Sequence, residues 1–366
     1  MSFRRVCTLR SVALICGMIF GFGVYRNMVS LEVSAKRRVQ KAEQSPFPVD
    51  IDLSLSKSTS DGATVPARCK PYLDHFRGVL PPQQSFPDAK NCPRWRRWAN
   101  LARECVLLEL FKRNFTDVWT DLTQIVNCCT KTLRDLLPLF MLLGKDDIKH
   151  VIFPTDLNEP CRAVSLGIGM DTVVEEKLRQ VLPQCELYGA DPDPKMAASF
   201  EFVGEFFDVA VSGRSGKRWL SLLAPNGSYV DRYVDAIGLA EFLDEHTHQN
   251  EIDYLFVDIE GAEYSILEEF FNNGTLEEGN AREIAICHIS FELHGPLEQY
   301  SMTERKYGKL LVDFFNQTGF VPLWAPTPQY HQRLFVTNAL SDYCIERYFY
   351  QWCKDPAPFV LADDVI

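Results

Sequence analysis

Four segments of the chain set acids, glycines and a histidine at spacings that can do chemistry. The first, RAVSLGIGMDTVVEEKL, closes an apolar run at Leu166 and turns through Gly167 and Gly169 into a helix-compatible stretch that opens near Asp171. Glycine is needed where backbone and ligand approach closely, and an exposed helix start offers backbone N–H groups to an anion or a carboxylate. The same turn is also common as a plain strand-to-helix connection. The second segment, CELYGADPDP, sets Asp191 at the end of the next apolar run, 22 residues after Gly169. That spacing suits one strand-helix-strand unit, and a carboxylate there accepts hydrogen bonds from both hydroxyls of a ribose.

The third segment, NEIDYLFVDIEGAEYSILEEFF, carries Asp258 and Glu260 to the end of an apolar strand before Gly261 turns into a helix. The fourth, AICHISFELHG, ends a strand at Glu292 with His294 just past it. Ligands of open α/β sheets bind beyond the carboxyl ends of the strands, so these groups are expected to face one crevice together with Gly167 and Asp191. The first two segments fit the adenosine of NAD or of S-adenosylmethionine alike. The acidic end of the third favours S-adenosylmethionine, because transfer of a methyl to a hydroxyl needs a base near the acceptor oxygen. Asp258, His294 and Glu292, in that order, are the expected bases. Asp208, at the third strand, is a further candidate for the adenine region. A divalent ion on the carboxylates would serve the same chemistry, but no metal ligand is assigned.

These groups need elements to hold them. From residue 161 onward short apolar runs alternate with helix-compatible runs, the pattern of a doubly wound parallel sheet. Strands are expected at 162–166, 186–190, 207–211, 252–259, 283–291, 319–324 and 334–337. Before them, residues 93–143 read as helix. Leu101, Cys105, Leu108 and Phe111 lie on one path, Val118, Leu122, Ile125 and Val126 on another, and a last helical run spans 133–143 around Pro138. His246 and His248 fall in a polar loop, and RWRRW at residues 94–98 reads as a helix start with snorkelling arginines.

AVSLGIGMD, GADPDP, the segment VDAIGLAEFLDE leading into IDYLFVDIEGAEYSIL, and the later SFELH together resemble the FkbM family of methyltransferases, over roughly residues 161–338. Two departures stand out: Phe256 occupies the place of a lysine two residues before the family's Asp, and Asp191-Pro192 replaces a Glu-Pro. The resemblance implies an α/β fold with a Rossmann-like class I methyltransferase sheet, mostly parallel with seven strands, and an N-terminal helical extension. It also implies S-adenosylmethionine as cofactor, with Gly167, Gly169, Asp171, Asp191, Asp208 and Glu260 toward it, and a hydroxyl of a small molecule or glycan as acceptor. A catalytically silent, membrane-tethered scaffold that kept the fold is the alternative.

The ends of the chain bear on location. After three arginines, residues 11–25 (SVALICGMIFGFGVY) are uncharged and would span about 22 Å as a helix, short of a hydrocarbon core of roughly 30 Å. A retained single-pass anchor and a cleaved signal are both compatible with that length. Ten cysteines beyond it and sequons at Asn114, Asn226, Asn273 and Asn316 favour a lumenal body in the Golgi or endoplasmic reticulum. Secretion after cleavage is the alternative. Cys69, Cys92, Cys105, Cys128, Cys129, Cys344 and Cys353 are the expected disulfide participants, with Cys161, Cys185 and Cys287 buried in strands. The expected organisation is a membrane segment at 1–30, a flexible stem at 31–67, a helical extension at 68–150, a methyltransferase domain at 151–345 and a packed tail at 346–366. The net charge is −11, yet residues 1–41 hold eight Lys or Arg against Glu32 alone, leaving about −18 on the body. So acidic a body repels phosphate backbones, which argues against nucleic acid as a partner.

Overall fold

The computed structural model describes residues 92–145, 148–223, 228–272, 284–326 and 331–354. The apolar segment at 11–25, the stem at 31–67, Cys69 and the sequons at Asn226 and Asn273 lie outside the described residues. Among the described residues no helix is long and apolar enough to cross a membrane.

Seven strands form the main sheet: β3 (Cys161–Leu166), β4 (Cys185–Ala190), β5 (Glu205–Phe207), β9 (Glu251–Val257), β10 (Ala285–His294), β11 (Phe320–Trp324) and β12 (His331–Asn338). Their order is β11-β12-β10-β9-β3-β4-β5. All pairings are parallel except those of β12, which runs against β10 and β11. In order of appearance the strands therefore stand 3-2-1-4-5-7-6, a Rossmann-like arrangement in which the chain reverses direction of travel between β3 and β9.

Burial explains why these runs are strands. Every residue of β9 after its first is buried, as a central parallel strand with both faces covered requires. Leu255 and Val257 join one core with the helices α1 (Pro93–Lys112), α2 (Val118–Cys129), α5 (Glu263–Asn272) and α6 (Glu304–Gln317). Tyr254 and Phe256 join the opposite core, with α4 (Val173–Val181) and the aromatic segment around Tyr348 and Phe349. α6 begins where the Thr303 side chain accepts a hydrogen bond from Lys306 N, and it buries Tyr307, Leu311, Phe314 and Phe315.

Several expectations are corrected. The helical run across 133–143 is instead a short helix, α3 (Lys131–Leu136), followed by β1 (Leu139–Leu143), which pairs antiparallel with β2 (Ile148–Ile152). Pro138 cannot continue a helix, and the five apolar residues after it find a partner strand. On α1 Leu101 and Cys105 are buried as read, but Leu108 and Phe111 are exposed, and the path continues instead through Trp95, Ala99, Ala102, Val106 and Leu110. The α2 path is buried as read. The strand expected at 207–211 is two strands in different sheets. β5 ends at Phe207, and β6 (Ala210–Ser212) joins β7 (Gly216–Leu223) and β8 (Tyr229–Gly238) in a three-stranded sheet of order β6-β8-β7.

All nine cysteines of the described residues are disulfide-bonded. Cys92 pairs with Cys353, Cys105 with Cys129, Cys161 with Cys185 and Cys287 with Cys344. Cys161, Cys185 and Cys287 are thus bridged rather than free strand residues. Cys161 and Cys185 are direct partners in the β3–β4 register, which brings them together across the two strand starts.

Candidate active site

The carboxyl ends of β3, β4 and β9 open into a cavity of about 550 Å³. Gly167, Gly169, Asp171, Asp191, Asp258 and Glu260 all line it, as do Tyr229 and Arg232 from β8. Two expected groups lie just behind this wall: His294 and Glu292 are buried on β10 and are not among the lining residues. Asp208 is exposed and does not line the cavity either, because the chain leaves the sheet at Phe207.

Backbone geometry fixes the floor. Asp258 N donates to Leu166 O at 2.9 Å, and Gly167 N donates to Ala190 O at 2.9 Å, so the ends of the three strands are stitched together. Gly167 has φ 78°, and a Cβ there would lie 1.7 Å from the carbonyl oxygen of Asp258. Gly169 also has a left-handed φ, 54°, but a Cβ there would meet nothing within 4 Å. The first glycine permits strand packing, and the second presents bare backbone to open space.

Asp191 braces this turn. Its Oδ2 accepts from Ile168 N at 3.0 Å and Gly169 N at 3.3 Å, and its Oδ1 accepts from Asp193 N at 2.8 Å. Burial pushes its carboxyl up, and the three backbone N–H groups oppose that. Each carboxylate oxygen keeps acceptor capacity beyond these bonds. Asp171 stands just before the Thr172 N-cap of the following helix: its Oδ1 accepts from Val173 N at 3.1 Å and its Oδ2 from Lys145 N at 2.6 Å.

At the other end of the cavity, four ionisable groups form a cluster. His294 Nε2 lies 3.2 Å from Glu260 and 3.7 Å from Asp258, while its Nδ1 lies 2.9 Å from Glu263. Burial would lower the imidazole, but the hydrogen bond and charge of Glu263, aided by Glu260 and Asp258, outweigh it and raise His294 to about 9. The ring is therefore an imidazolium at neutral pH. It already holds a proton, and its Nε2 faces Asp258 and Glu260. Burial raises the Glu260 carboxyl, with the charge of His294 and a hydrogen bond from Tyr229 opposing the shift. Glu292 faces Arg333, with Nε 3.4 Å from its Oε2.

Glu263 was not singled out in the sequence. It is fully buried at the first position of α5, where it accepts from Ile259 N and Gly261 N, both at 2.8 Å. Those two bonds hold Glu260 in a left-handed conformation, φ 54°, a strained state for a residue with a Cβ. The signal was present as the last acid of DIEGAE, placed where a carboxylate suits a helix start. Tyr229 gave no such signal, because the β7–β8 hairpin was not read from the sequence. Two overlapping sets, Asp258, Glu263 and His294, and Glu292, His294 and His331, bring ligand-type atoms within 4.8 Å of one another and could hold a cation. Both depend on His294, whose two ring nitrogens already face carboxylates.

No curated protein sequence matches the chain. Among solved structures, fibrillarin of Aeropyrum pernix with bound S-adenosyl-L-methionine is 14% identical, with 50% of this chain and 68% of that chain covered and a TM-score of 0.29. A SAM-dependent methyltransferase from Aquifex aeolicus is 12% identical, covering 50% and 85%, with a TM-score of 0.27. TrmK of M. capricolum, solved with S-adenosyl-homocysteine, is 13% identical over 50% and 63%, with a TM-score of 0.27. Likenesses this distant carry nothing further. Residues 149–322, which contain β3, the glycine turn, Asp191, Asp258, Glu260 and His294, match the methyltransferase FkbM domain family.

Proposed function

We propose that the chain is an S-adenosylmethionine-dependent O-methyltransferase. The observation that carries this reading is the convergence of Gly167, Gly169, Asp191, Asp258 and Glu260 on one cavity of about 550 Å³, a size typical of cofactor sites. The residues suit the cofactor. Gly169 leaves its backbone open, Asp191 retains acceptor capacity for ribose hydroxyls, and the apolar side chains of Met196, Val211 and Leu220 line the same cavity and would suit an adenine face. When bound, S-adenosylmethionine would supply an electrophilic methyl group on a sulfonium, whose sulfur departs as a neutral thioether that needs no proton.

The chain's own residues then have three tasks. Asp258 takes the proton of the acceptor hydroxyl as the oxygen becomes a nucleophile. His294, charged and held by Glu263, keeps Asp258 and Glu260 turned toward the cavity, and Tyr229 ties Glu260 to the hairpin. The β7–β8 hairpin closes one side of the cavity through Leu220, Leu222 and Val230, which limits water around the acceptor.

We further infer that the acceptor hydroxyl belongs to a glycan and that the body is lumenal, anchored by its N-terminal segment in the Golgi or endoplasmic reticulum. The support is that every cysteine of the described residues is bridged, and that Asn114 and Asn316 are exposed at their sequons. Incubating the full-length protein with methyl-labelled cofactor and released glycans tests the acceptor and the methyl transfer, and protease protection of the body in intact microsomes tests its lumenal placement. Label in the glycan pool is expected. Label confined to lipid or small metabolites would remove the glycan, and no label in any fraction would remove the methyltransferase.

A further inference from the structure

Four of the nine exposed large hydrophobic side chains among the described residues stand on the β7–β8 hairpin: Trp219, Tyr229, Val230 and Tyr233. The two strands pair antiparallel with Trp219 directly opposite Tyr233, and alternation along them gives the ribbon two faces. Leu220 and Val234 turn inward and pack with Ala210, Ala236 and Ala262. By the same alternation Trp219, Tyr229, Asp231 and Tyr233 share the outward face. The two rings of the pair meet edge to face with centroids 4.8 Å apart, yet Trp219 stays 58% exposed and Tyr233 70%. Aromatic surface held in place and left open to water marks a site of contact with something else.

The outward face is continuous with the candidate active site. Tyr229, four residues before Tyr233 on β8, lines the cavity and gives its hydroxyl to Glu260. Tyr300, from the turn at Leu297–Tyr300, packs over Gly261 and feels the charge of both Glu260 and Asp231. The face therefore starts beside the acids of the cavity and runs away from them to the aromatic pair, about 13 Å along the strand. Its chemistry is mixed, because the exposed carboxylates of Asp231 and Asp235 flank Tyr233 on the same side. An apolar partner would bury both carboxylates without donors. A pyranose suits the mixture: its C–H face packs on the negative face of an aromatic ring, and its rim of hydroxyls donates to carboxylates.

We infer that Trp219 and Tyr233 form a platform for a sugar unit remote from the one that is methylated, so that the acceptor is an oligosaccharide rather than a single sugar. This rests on the proposed function and deepens it. One unit presents its hydroxyl to Asp258, and a unit further along the same chain stacks on the aromatic pair. A span of about 13 Å is longer than one pyranose ring, so a single sugar cannot reach both places.

The test compares methyl transfer by the full-length protein on released glycans longer than a disaccharide and on methyl glycosides of their component sugars, with S-adenosylhomocysteine affinity measured by calorimetry. Wild type should show a kcat/KM about tenfold or more higher on the longer glycans, the worth of two aromatic contacts. Trp219→Ala combined with Tyr233→Ala should raise KM for those glycans about tenfold. Their kcat and the S-adenosylhomocysteine affinity should stay within about threefold of wild type. Trp219→Phe combined with Tyr233→Phe keeps two rings and should restore KM. Wild type equally efficient on single sugars would overturn the platform, as would alanine variants that keep the wild-type KM or that lose S-adenosylhomocysteine as well. Wild type that binds S-adenosylhomocysteine but methylates no glycan would remove the sugar acceptor and the platform with it. Wild type that does not bind S-adenosylhomocysteine would overturn the methyltransferase itself.

Discussion

Asp253 and Asp258 stand five residues apart on and just after one strand, and the two ends of the sheet treat them in opposite ways. At the amino end Asp253 is fully buried and surrounded by donors: Arg162 N at 2.8 Å, Arg347 Nε at 2.9 Å and Tyr348 Oη at 2.7 Å. Arg347 in turn reaches Glu159 and the carbonyl of Pro160. Two disulfides reinforce the region: Cys161–Cys185 joins the first residues of β3 and β4, and Cys287–Cys344 ties β10 to the segment after β12. At the carboxyl end Asp258, Glu260 and Glu263 all face the His294 imidazolium, and Glu260 is held in a strained conformation. The same residue type is a buried staple among three donors at one end and a part-exposed carboxylate beside an imidazolium at the other. A sheet sealed at one end can tolerate strain and surplus charge at the other.

The sharpest way to break the comparison is the same substitution at both ends. Asp258→Asn should lower methyl transfer by about two to four orders of magnitude, the range of a lost general base, with the melting temperature nearly unchanged. Activity within a few fold of wild type would remove Asp258 from the chemistry. Asp253→Asn should do the reverse, costing about 3–5 kcal/mol of stability because Arg347 is left without its buried partner. Denaturant unfolding measures this, and a loss below about 1 kcal/mol would mean that the amino end is not a staple.

A smaller effect separates the ends by pH. His294 is raised from its ordinary 6.5 to about 9, and its side chain is 4% exposed. The stability it contributes is therefore fully present below about pH 6.5 and is lost as pH rises through about 9. The whole effect is about 3 kcal/mol. The stability difference between wild type and His294→Gln should shrink across that window, and a difference flat from pH 6 to 9.5 would contradict the charged cluster. NMR titration should also show the His294 value falling in Glu263→Gln.

The smallest effect concerns the glycines. Gly169→Ala should cost about 1–2 kcal/mol, the strain of a left-handed alanine, since its Cβ meets open space. Gly167→Ala should cost more, since its Cβ would strike the Asp258 carbonyl. Equal costs would mean that strand packing does not set the Gly167 requirement.

What could be read from the sequence follows the same division. The strands of the main sheet were legible because buried parallel strands are continuous apolar runs bounded by turn residues. The glycine turn, Asp191, Asp258 and Glu260 were legible because strand ends are fixed points where few residue types fit. The β7–β8 hairpin was hidden. Its outward face carries Trp219 and Tyr233 in contact with each other and its strands alternate weakly, so no clean period marks it. Residues 139–143 read as helix because a five-residue apolar run has no period of its own until β2 supplies a partner. Cys161 and Cys185 read as core residues because each lies in an apolar strand, and only the register shows them side by side.

The most direct measurement is a crystal structure of the protein with S-adenosylhomocysteine. The expected result sets the ribose hydroxyls on Asp191 and the thioether sulfur toward Asp258 and Glu260, at the end of the cavity beside His294. Ligand bound elsewhere, or bound with its sulfur turned away from both acids, would contradict the assignment of this edge of the sheet to methyl transfer.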